Sequence, residues 1–278
     1  MTPDAPSPGA ARPAEATSPH HRVHLLDLHG KPGGTIALPL AFSEPVRPDL
    51  IQRAVVAARS HRRQPYGTSP TGGMRHSVEW SGKGRGVART PRLMDSMRGA
   101  QAPNTVSGRQ AHPPRVDRIW DKKINRKERH RAFTSALAAT REEQLARARG
   151  HEVPHGLHLP VVLEDPVEEI KTSAEARAIF ERLKLWPDVQ RARDGTHLRA
   201  SGRARRRGRV RRTPRSVLIV THTGGKALGF RNLAGVEIVP VGRLSTEDLA
   251  PGGVAGRLTI FSRGAVEALR ARLGEAAP

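Results

Sequence analysis

The sequence has no cysteine in 278 residues, which excludes disulfides and thiolate metal sites and permits a reducing compartment such as the cytoplasm. Long apolar runs are missing too. The longest, Ala54 to Ala58, is about a quarter of the ~20 residues a membrane-spanning helix needs, so a soluble chain with no membrane partner is expected. Aromatic residues are 3% and apolar residues 36% of the chain, which predicts a modest core and a sizeable fraction of residues outside it. Acids are in short supply: 26 Asp and Glu face 48 Lys and Arg, a formal charge of +22. Solubility asks for far less, so the excess points to a polyanionic partner. Most of it is arginine, whose planar fork grips phosphate in pairs of bonds and stacks on bases, which favours nucleic acid.

The first 21 residues are rich in Pro, Ala and Ser, carry Asp4 and Glu15, and lack an apolar h-region; they read as a disordered tail, not a secretory signal. Core-forming patterns then fall in two blocks, from Arg22 to Gln64 and from Asn125 onward. In the first, Val23 to Leu28 and Thr35 to Leu38 predict two strands of a hairpin. Pro48 and Asp49 open a helix with Leu50, Ile51, Ala54, Val55 and Ala58 on one face, expected to run to Gln64. In the second, Asn125 and Glu128 have the spacing of a capping box, and the helix they start is expected to reach Arg149. Strands at Val161 to Leu163, Ser216 to Thr221, Val236 to Val241 and Arg257 to Phe261 alternate with helices, one capped by Ser173 and a closing one bearing Val266, Leu269 and Leu273. That alternation predicts an α/β fold, a mostly parallel sheet covered by helices, in a single domain spanning 22–278.

Two stretches interrupt the pattern. Residues 65–118 are rich in Gly and Pro, carry nine Lys or Arg against Glu79, Asp95 and Asp117, and hold sparse hydrophobes such as Met74, Trp80, Leu93 and Met97. A segment this long cannot make a core, so it is expected to be disordered or ordered by a partner. Within it, Trp80-Ser81-Gly82-Lys83-Gly84-Arg85-Gly86 alternates glycine, which lets backbone approach phosphate, with cations, beside a ring on which a base can stack. The second stretch, residues 199–215, holds nine arginines and no acid, a density at which like charges repel on a helix face. Folded RNA suits such irregular basic segments better than regular DNA duplex.

Catalytic patterns compete poorly. Gly224-Gly225-Lys226 follows a strand as a phosphate loop does, but Val220 stands where its first glycine belongs and Ala227 where a Ser or Thr would hold magnesium. The glycines at 82, 84 and 86 have the wrong spacing for a dinucleotide fingerprint. His151, His155 and His158 lie in a Pro- and Gly-containing connection, which is weak support for a metal site, and Glu164, Asp165, Glu168 and Glu169 read as acids preceding a helix and a solvated face. No catalytic residue, metal, cofactor or small-molecule substrate is expected.

Several separated stretches resemble one family. They are Pro45 to Ile51 (PVRPDLI), Arg63 to Gly67 (RQPYG), Gly84-Arg85-Gly86, Gly108 to Pro114 (GRQAHPP), Lys127-Glu128-Arg129, Arg231 to Gly235 (RNLAG), Asp248 to Gly253 (DLAPGG) and Gly256 to Thr259 (GRLT). From about Val23 to Leu273 the chain resembles the family of large-subunit ribosomal protein four, in its archaeal-type version; the first 21 residues and Val153 to Leu159 depart from the family pattern. The resemblance implies a structural constituent of the cytoplasmic ribosome that binds 23S-type ribosomal RNA, supports assembly and has neighbouring ribosomal proteins as partners. It also implies that residues 65–118 penetrate the RNA and that Lys83, Gly84, Arg85 and Gly86 line the nascent-peptide exit tunnel. The RNA-binding residues expected are Arg62, Arg63, Arg75, Trp80, Lys83, Arg85, Arg89, Arg92, Arg98, Arg109, His112 and Arg115, with Arg203, Arg205, Arg206, Arg207, Arg209, Arg211 and Arg212. Regulation through the protein's own messenger leader is the alternative function for an RNA binder of this kind.

If the second cluster anchors phosphates without reading sequence, replacing Arg205, Arg206 and Arg207 together by Ala weakens binding to diverse RNAs alike. The slope of log affinity against log salt then flattens by roughly 0.7 to 0.9 for each phosphate that the variant no longer neutralises. An unchanged slope, measured by salt titration, argues against phosphate anchoring.

Overall fold

Strand β1 (Arg22–Leu26) and strand β2 (Pro32–Ala37) pair antiparallel, and Gly30, with φ +78°, makes the reversal between them. These are the first elements of a computed structural model that describes residues 22–222 and 226–274. The expected tail at 1–21 and Gly224 and Gly225 lie outside the described residues. Helix α1 (Pro48–Ser60) starts as expected with proline and Asp49 in its first turn, but ends four residues before Gln64, where Ser60 Oγ donates to the carbonyl of Ala57. The described residues divide into two compact units, one up to residue 56 and from 124 onward, the other residues 57–123.

In the first unit, helix α2 (Arg126–Ala139) has Asn125 at its cap position, yet the Asn125 side chain makes no capping bond, so the expected capping box does not form. The helix is also shorter than expected. Thr140 Oγ1 bonds back to the Leu137 carbonyl at 2.7 Å, the chain turns, and a separate helix α3 (Glu143–Ala148) follows. Nearer the middle of α2, Ser135 Oγ accepts from Arg47 N at 2.6 Å and donates to the Pro45 carbonyl, which fastens the helix to the segment entering α1. After strand β5 (Val161–Leu163), helix α4 (Ser173–Arg182) is capped by Thr172, whose oxygen accepts from Glu175 N, and not by Ser173 as expected. Helix α5 (Trp186–Asp194), strand β8 (Leu218–Thr221), strand β9 (Glu237–Pro240), helix α7 (Thr246–Leu249), strand β10 (Thr259–Ser262) and helix α8 (Arg263–Leu273) complete the frame.

The sheet order is β2-β1-β5-β10-β8-β9, with every pair parallel except β1 and β2. The fold is therefore α/β with helices on both faces, which is why its central strands are continuous apolar runs. Alternate residues of those runs go to opposite cores. Val161, Leu163, Ile219 and Ile260 meet Ile179 and Phe180 of α4 and Val189 of α5, where Phe180 and Phe230 lie 5.1 Å apart. Val162, Leu218, Val220 and Phe261 meet Ile51 and Val55 of α1, Leu137 of α2 and Val266 and Leu269 of α8. There Phe42 meets Phe261 edge to face at 5.6 Å.

The second unit is built differently. Strands β3 (Val78–Trp80) and β4 (Pro91–Leu93) pair antiparallel, but Ala57 and Ala100 are its buried hydrophobic residues, while Tyr66, Met74, Trp80, Val106, Val116 and Ile119 are exposed. Close backbone approach takes the place of side-chain packing. A Cβ on Gly67 would lie 2.8 Å from Val116 Cγ2 and 2.9 Å from the Pro114 carbonyl, so only glycine lets the outgoing and returning legs meet there.

Phe261 tests which contacts hold the first unit. Its replacement by Ala removes the ring at the middle of the sheet and is expected to cost about 3 to 5 kcal/mol. Urea denaturation should show a lower midpoint at unchanged slope; a midpoint equal to the parent's places the stabilising core elsewhere.

Candidate nucleic-acid interface

The arginine-rich stretch folds as a hairpin. Strand β6 (His197–Leu198) pairs antiparallel with strand β7 (Arg211–Arg212), and Arg199 N continues the ladder to the Val210 carbonyl at 2.9 Å. Between them helix α6 (Arg203–Arg206) makes one turn, against the expectation from charge density alone. A single turn escapes that objection because no residue in it is buried, so its side chains diverge into solvent, and Arg205 Nη1 closes it on the Arg199 carbonyl at 2.8 Å. Arg203, Arg206, Arg207, Arg209, Arg211 and Arg212 are exposed and have no ion-pair partner among the described residues.

The root of the hairpin is held by a buried carboxylate that no sequence motif marks. Asp188, at the start of α5, accepts from Ser216 Oγ at 2.6 Å, from Arg191 Nε at 3.0 Å and from Glu152 N at 3.1 Å, and His151 Nδ1 lies 3.1 Å away. Burial alone would raise the Asp188 pKa, but the bonds from His151, Ser216 and Arg191 outweigh it and hold the carboxyl below its ordinary range. Arg191 Nη2 also donates to the Arg215 carbonyl at 3.0 Å, and Thr196 Oγ1 to Thr213 Oγ1 at 3.3 Å, so the two legs are tied where they leave the domain. His151 is thus engaged with a carboxylate, away from the triad of histidines its sequence neighbours suggest.

Beside this node lies Arg257, fully buried two residues before β10. Its Nε donates to the Ser216 carbonyl at 3.1 Å and its Nη1 to Glu237 Oε2 at 2.7 Å and to the Asp248 carbonyl at 2.8 Å. Glu237 also pairs with Arg215. Burial lowers the Arg257 pKa against the pull of Glu237, and Arg149, half-buried with its Nη2 on the Pro251 carbonyl at 2.7 Å, is pushed down to about 10 by burial and by the charges of Arg257 and Arg191. Arginine is concentrated here to the point of mutual repulsion, and Asp188 and Glu237 make it tolerable.

In the second unit the turn joining β3 and β4 carries Lys83 and Arg85 between Gly82, Gly84 and Gly86, whose φ values are +69°, +80° and +65°. These left-handed glycines have nothing within 4 Å of where a Cβ would be, so the turn is open on every side. Trp80 is 65% exposed at its edge. Arg62, Arg63, Arg75, Arg89, Arg98, Arg109, His112 and Arg115 are all exposed on the same unit. Arg92 differs: its Nη1 bonds the Met97 carbonyl at 2.7 Å and its Nη2 the Ala88 carbonyl at 3.2 Å, so it braces the turn from within.

At the other end of the parallel strands, where α/β sheets commonly receive phosphates, an open crevice is lined by Asp165, Glu168 and Glu169, and two of these acids bond the strand and helix ends beside it. Asp165 Oδ1 accepts from Gly264 N at 2.7 Å at the start of α8, the capping Ser262 Oγ accepts from Ala265 N at 3.1 Å, and Glu168 accepts from His222 N at 2.6 Å and from Ser262 Oγ at 2.5 Å. Two of the four clustered acids thus cap a helix start and its neighbouring strand ends.

Comparison with known proteins follows the same line. Residues 36–272 match the model of the "Ribosomal protein L4/L1 family". The chain is similar to the large ribosomal subunit protein uL4 of Methanopyrus kandleri, 45% identical over 257 residues that cover 90% of this chain and 98% of that one. It is 43% identical over 249 residues to the protein of the same name from Methanosphaera stadtmanae, with 89% and 96% covered. With that of Thermoplasma acidophilum it is 42% identical over 249 residues, with 90% and 97% covered.

Asp188 gives the root a measurable pH signature. Because its folded pKa lies below the unfolded value of about 3.9, its contribution is fully present above that value and disappears as pH falls through the folded one. Asp188→Ala should cost roughly 3 to 5 kcal/mol by leaving the buried His151 and Ser216 unpartnered. Asp188→Asn should flatten the acid limb of stability against pH; denaturation series that superimpose on the parent's at every pH rule the node out.

Proposed function

We infer what the protein does from one premise: the chain belongs to the ribosomal protein L4/L1 family. It is a structural constituent of the large ribosomal subunit, and its working chemistry is the binding of large-subunit ribosomal RNA. The observation that carries this is the arginine hairpin, a set of exposed guanidiniums without ion-pair partners among the described residues, on a root made rigid by Asp188. Such a device gains stability only from outside anions, and counterion release from RNA phosphates supplies it.

The second unit serves the same end by other means. Having almost no core, it depends on RNA for its order, and its exposed cations and Trp80 are its contacts. Phosphate contacts from both segments position the protein in the RNA. We place Lys83, Gly84, Arg85 and Gly86 at the wall of the nascent-peptide exit tunnel; the open glycine bends of that turn support this, since they let backbone and not bulk face a narrow passage. Neighbouring ribosomal proteins are further partners, and the site of action is the cytoplasmic ribosome. The protein is no enzyme on this reading: at the crevice where α/β enzymes take a phosphorylated ligand, the lining is acidic, and Gly264 N, His222 N and Ser262 Oγ are committed to Asp165 and Glu168.

Two measurements test this. The protein should co-sediment with large subunits and be released only at high salt. Deleting Lys83 to Gly86 should leave the thermal transition of the free protein nearly unchanged, since none of the four is buried, while widening the tunnel in density maps of rebuilt subunits and altering the affinity of small inhibitors lodged there. Subunits with the same constriction and the same inhibitor affinity place the tip elsewhere.

A further inference from the structure

The chain sorts its few aromatic side chains by chemistry. All five phenylalanines, Phe42, Phe133, Phe180, Phe230 and Phe261, are buried in the core. The single tyrosine and two of the three tryptophans are less buried and grouped with arginines, a neighbour that Phe133 shares, with Arg272 4.8 Å from the centre of its ring. The densest such group lies in the second unit. The rings of Tyr66 and Trp120 stack 5.6 Å apart at an interplanar angle of 17°, and the guanidinium carbons of Arg118 and Arg63 lie 4.4 and 4.9 Å from the centre of the Trp120 ring.

We propose that Tyr66, backed by Trp120 and flanked by Arg63 and Arg118, is a stacking platform for an unpaired base of ribosomal RNA. The proposal rests on the RNA-binding reading above and adds a site to it. Three observations carry it. First, Tyr66 is 60% exposed although one side of its ring is stacked, and it has no other ring or cation partner among the described residues, so the ring still offers surface to a base. Second, the backing is held in place. Thr68 N bonds the Pro114 carbonyl at 3.1 Å, Lys122 N bonds Ser60 Oγ at 2.9 Å, and Gly67 admits no side chain, so the legs bearing Tyr66 and Trp120 are clamped on either side of the stack. Third, Arg63 and Arg118 have no carboxylate partner among the described residues, and a guanidinium lying over a ring keeps its in-plane N–H groups for anions. A base on the tyrosine would bring its flanking phosphates among these two charges.

The chemistry expected is stacking without base identity, since a ring face accepts any base and no amide or carboxylate side chain takes part in the group. Unpaired or bulged nucleotides are the class selected, because a paired base has no free face.

The test uses the full-length protein and two probes of equal length and charge, a 12-nucleotide oligoadenylate and the same ribose-phosphate chain without bases. By fluorescence anisotropy at fixed salt, the parent should bind the oligoadenylate more tightly than the abasic chain. Tyr66→Ala should lower oligoadenylate affinity about tenfold and leave abasic affinity and its salt slope unchanged, while Tyr66→Phe, which keeps the ring, should retain the parent's preference. Trp80→Ala, removing the other exposed ring, should leave the Tyr66-dependent difference in place. Equal weakening on both probes, or a weakening in Tyr66→Phe as large as in Tyr66→Ala, makes the stack a structural clamp and overturns the proposal. If the parent binds both probes equally but retains salt-dependent affinity, the platform fails and RNA binding stands. If neither probe binds and the protein does not sediment with large subunits, the underlying reading fails with it.

Discussion

A net charge of +22 is the constraint to which the rest of the structure answers. Self-repulsion of that size opposes compaction, and there are too few acids to cancel it. Two acids are placed where arginine is buried. Asp188 and Glu237 sit at the starting edge of the parallel strands and receive Arg191, Arg215 and Arg257, together with His151 and Ser216. Removing the charge of either acid would leave guanidiniums in a low-dielectric setting, where repulsion is several times stronger than in water. The arginines of the hairpin beyond this edge have no acid partner among the described residues, and that remainder is the surface proposed above for RNA.

The two basic segments meet the same constraint in different ways. The hairpin at 197–212 is short, and its root is wired by side-chain hydrogen bonds into a packed domain, so its arginines are presented from a fixed base. The unit at 57–123 has no comparable base within itself: its strands are three residues long, and glycine-mediated contacts between its legs take the place of a core. Ordering a residue costs about 1 to 2 kcal/mol of backbone entropy, which buried Ala57 and Ala100 cannot offset. Preorganised presentation suits anchoring; dependence on the partner for order suits the RNA-following role proposed for the second segment.

Much of the frame is legible in the sequence because local pattern and tertiary structure agree there. The runs at Val161 to Leu163 and Leu218 to Thr221 are buried on both faces and read as parallel strands, and Ile51, Ala54 and Val55 of the expected α1 face pack, while Ala57 is buried in place of Ala58. The failures have physical causes. Helix α5 begins with Trp186 and Pro187 and is rich in arginine, so its apolar face is reduced to Val189 and Ala192, too little for periodicity to show. The break after α2 comes from a threonine bonding to its own backbone, a choice that spacing does not reveal. The caps expected at Asn125 and Ser173 do not form because a cap depends on rotamer and chain entry as well as residue type. The hairpin's root is illegible for a different reason: Ser216 and His151 lie 28 and 37 residues from Asp188, and only the fold brings them together.

The aromatic residues show how the same economy extends to specificity. A chain this poor in rings divides them between core and surface: the phenylalanines are buried, whereas Tyr66 and Trp80 are exposed. Phenylalanine goes to the two cores, where Phe42 packs on Phe261 and Phe180 on Phe230, and at the edge of one core Arg272 lies 4.8 Å from the centre of the Phe133 ring. Tyrosine and tryptophan tolerate water on one side and attract guanidinium on the other, and they stand beside arginine at Trp120 and at Trp186, where Arg177 lies 4.8 Å away. Phosphate contacts alone would hold this protein to any polyanion, since they carry no information about the base. A ring stacked among arginines, as proposed for Tyr66, would discriminate a strand with an exposed base from one without.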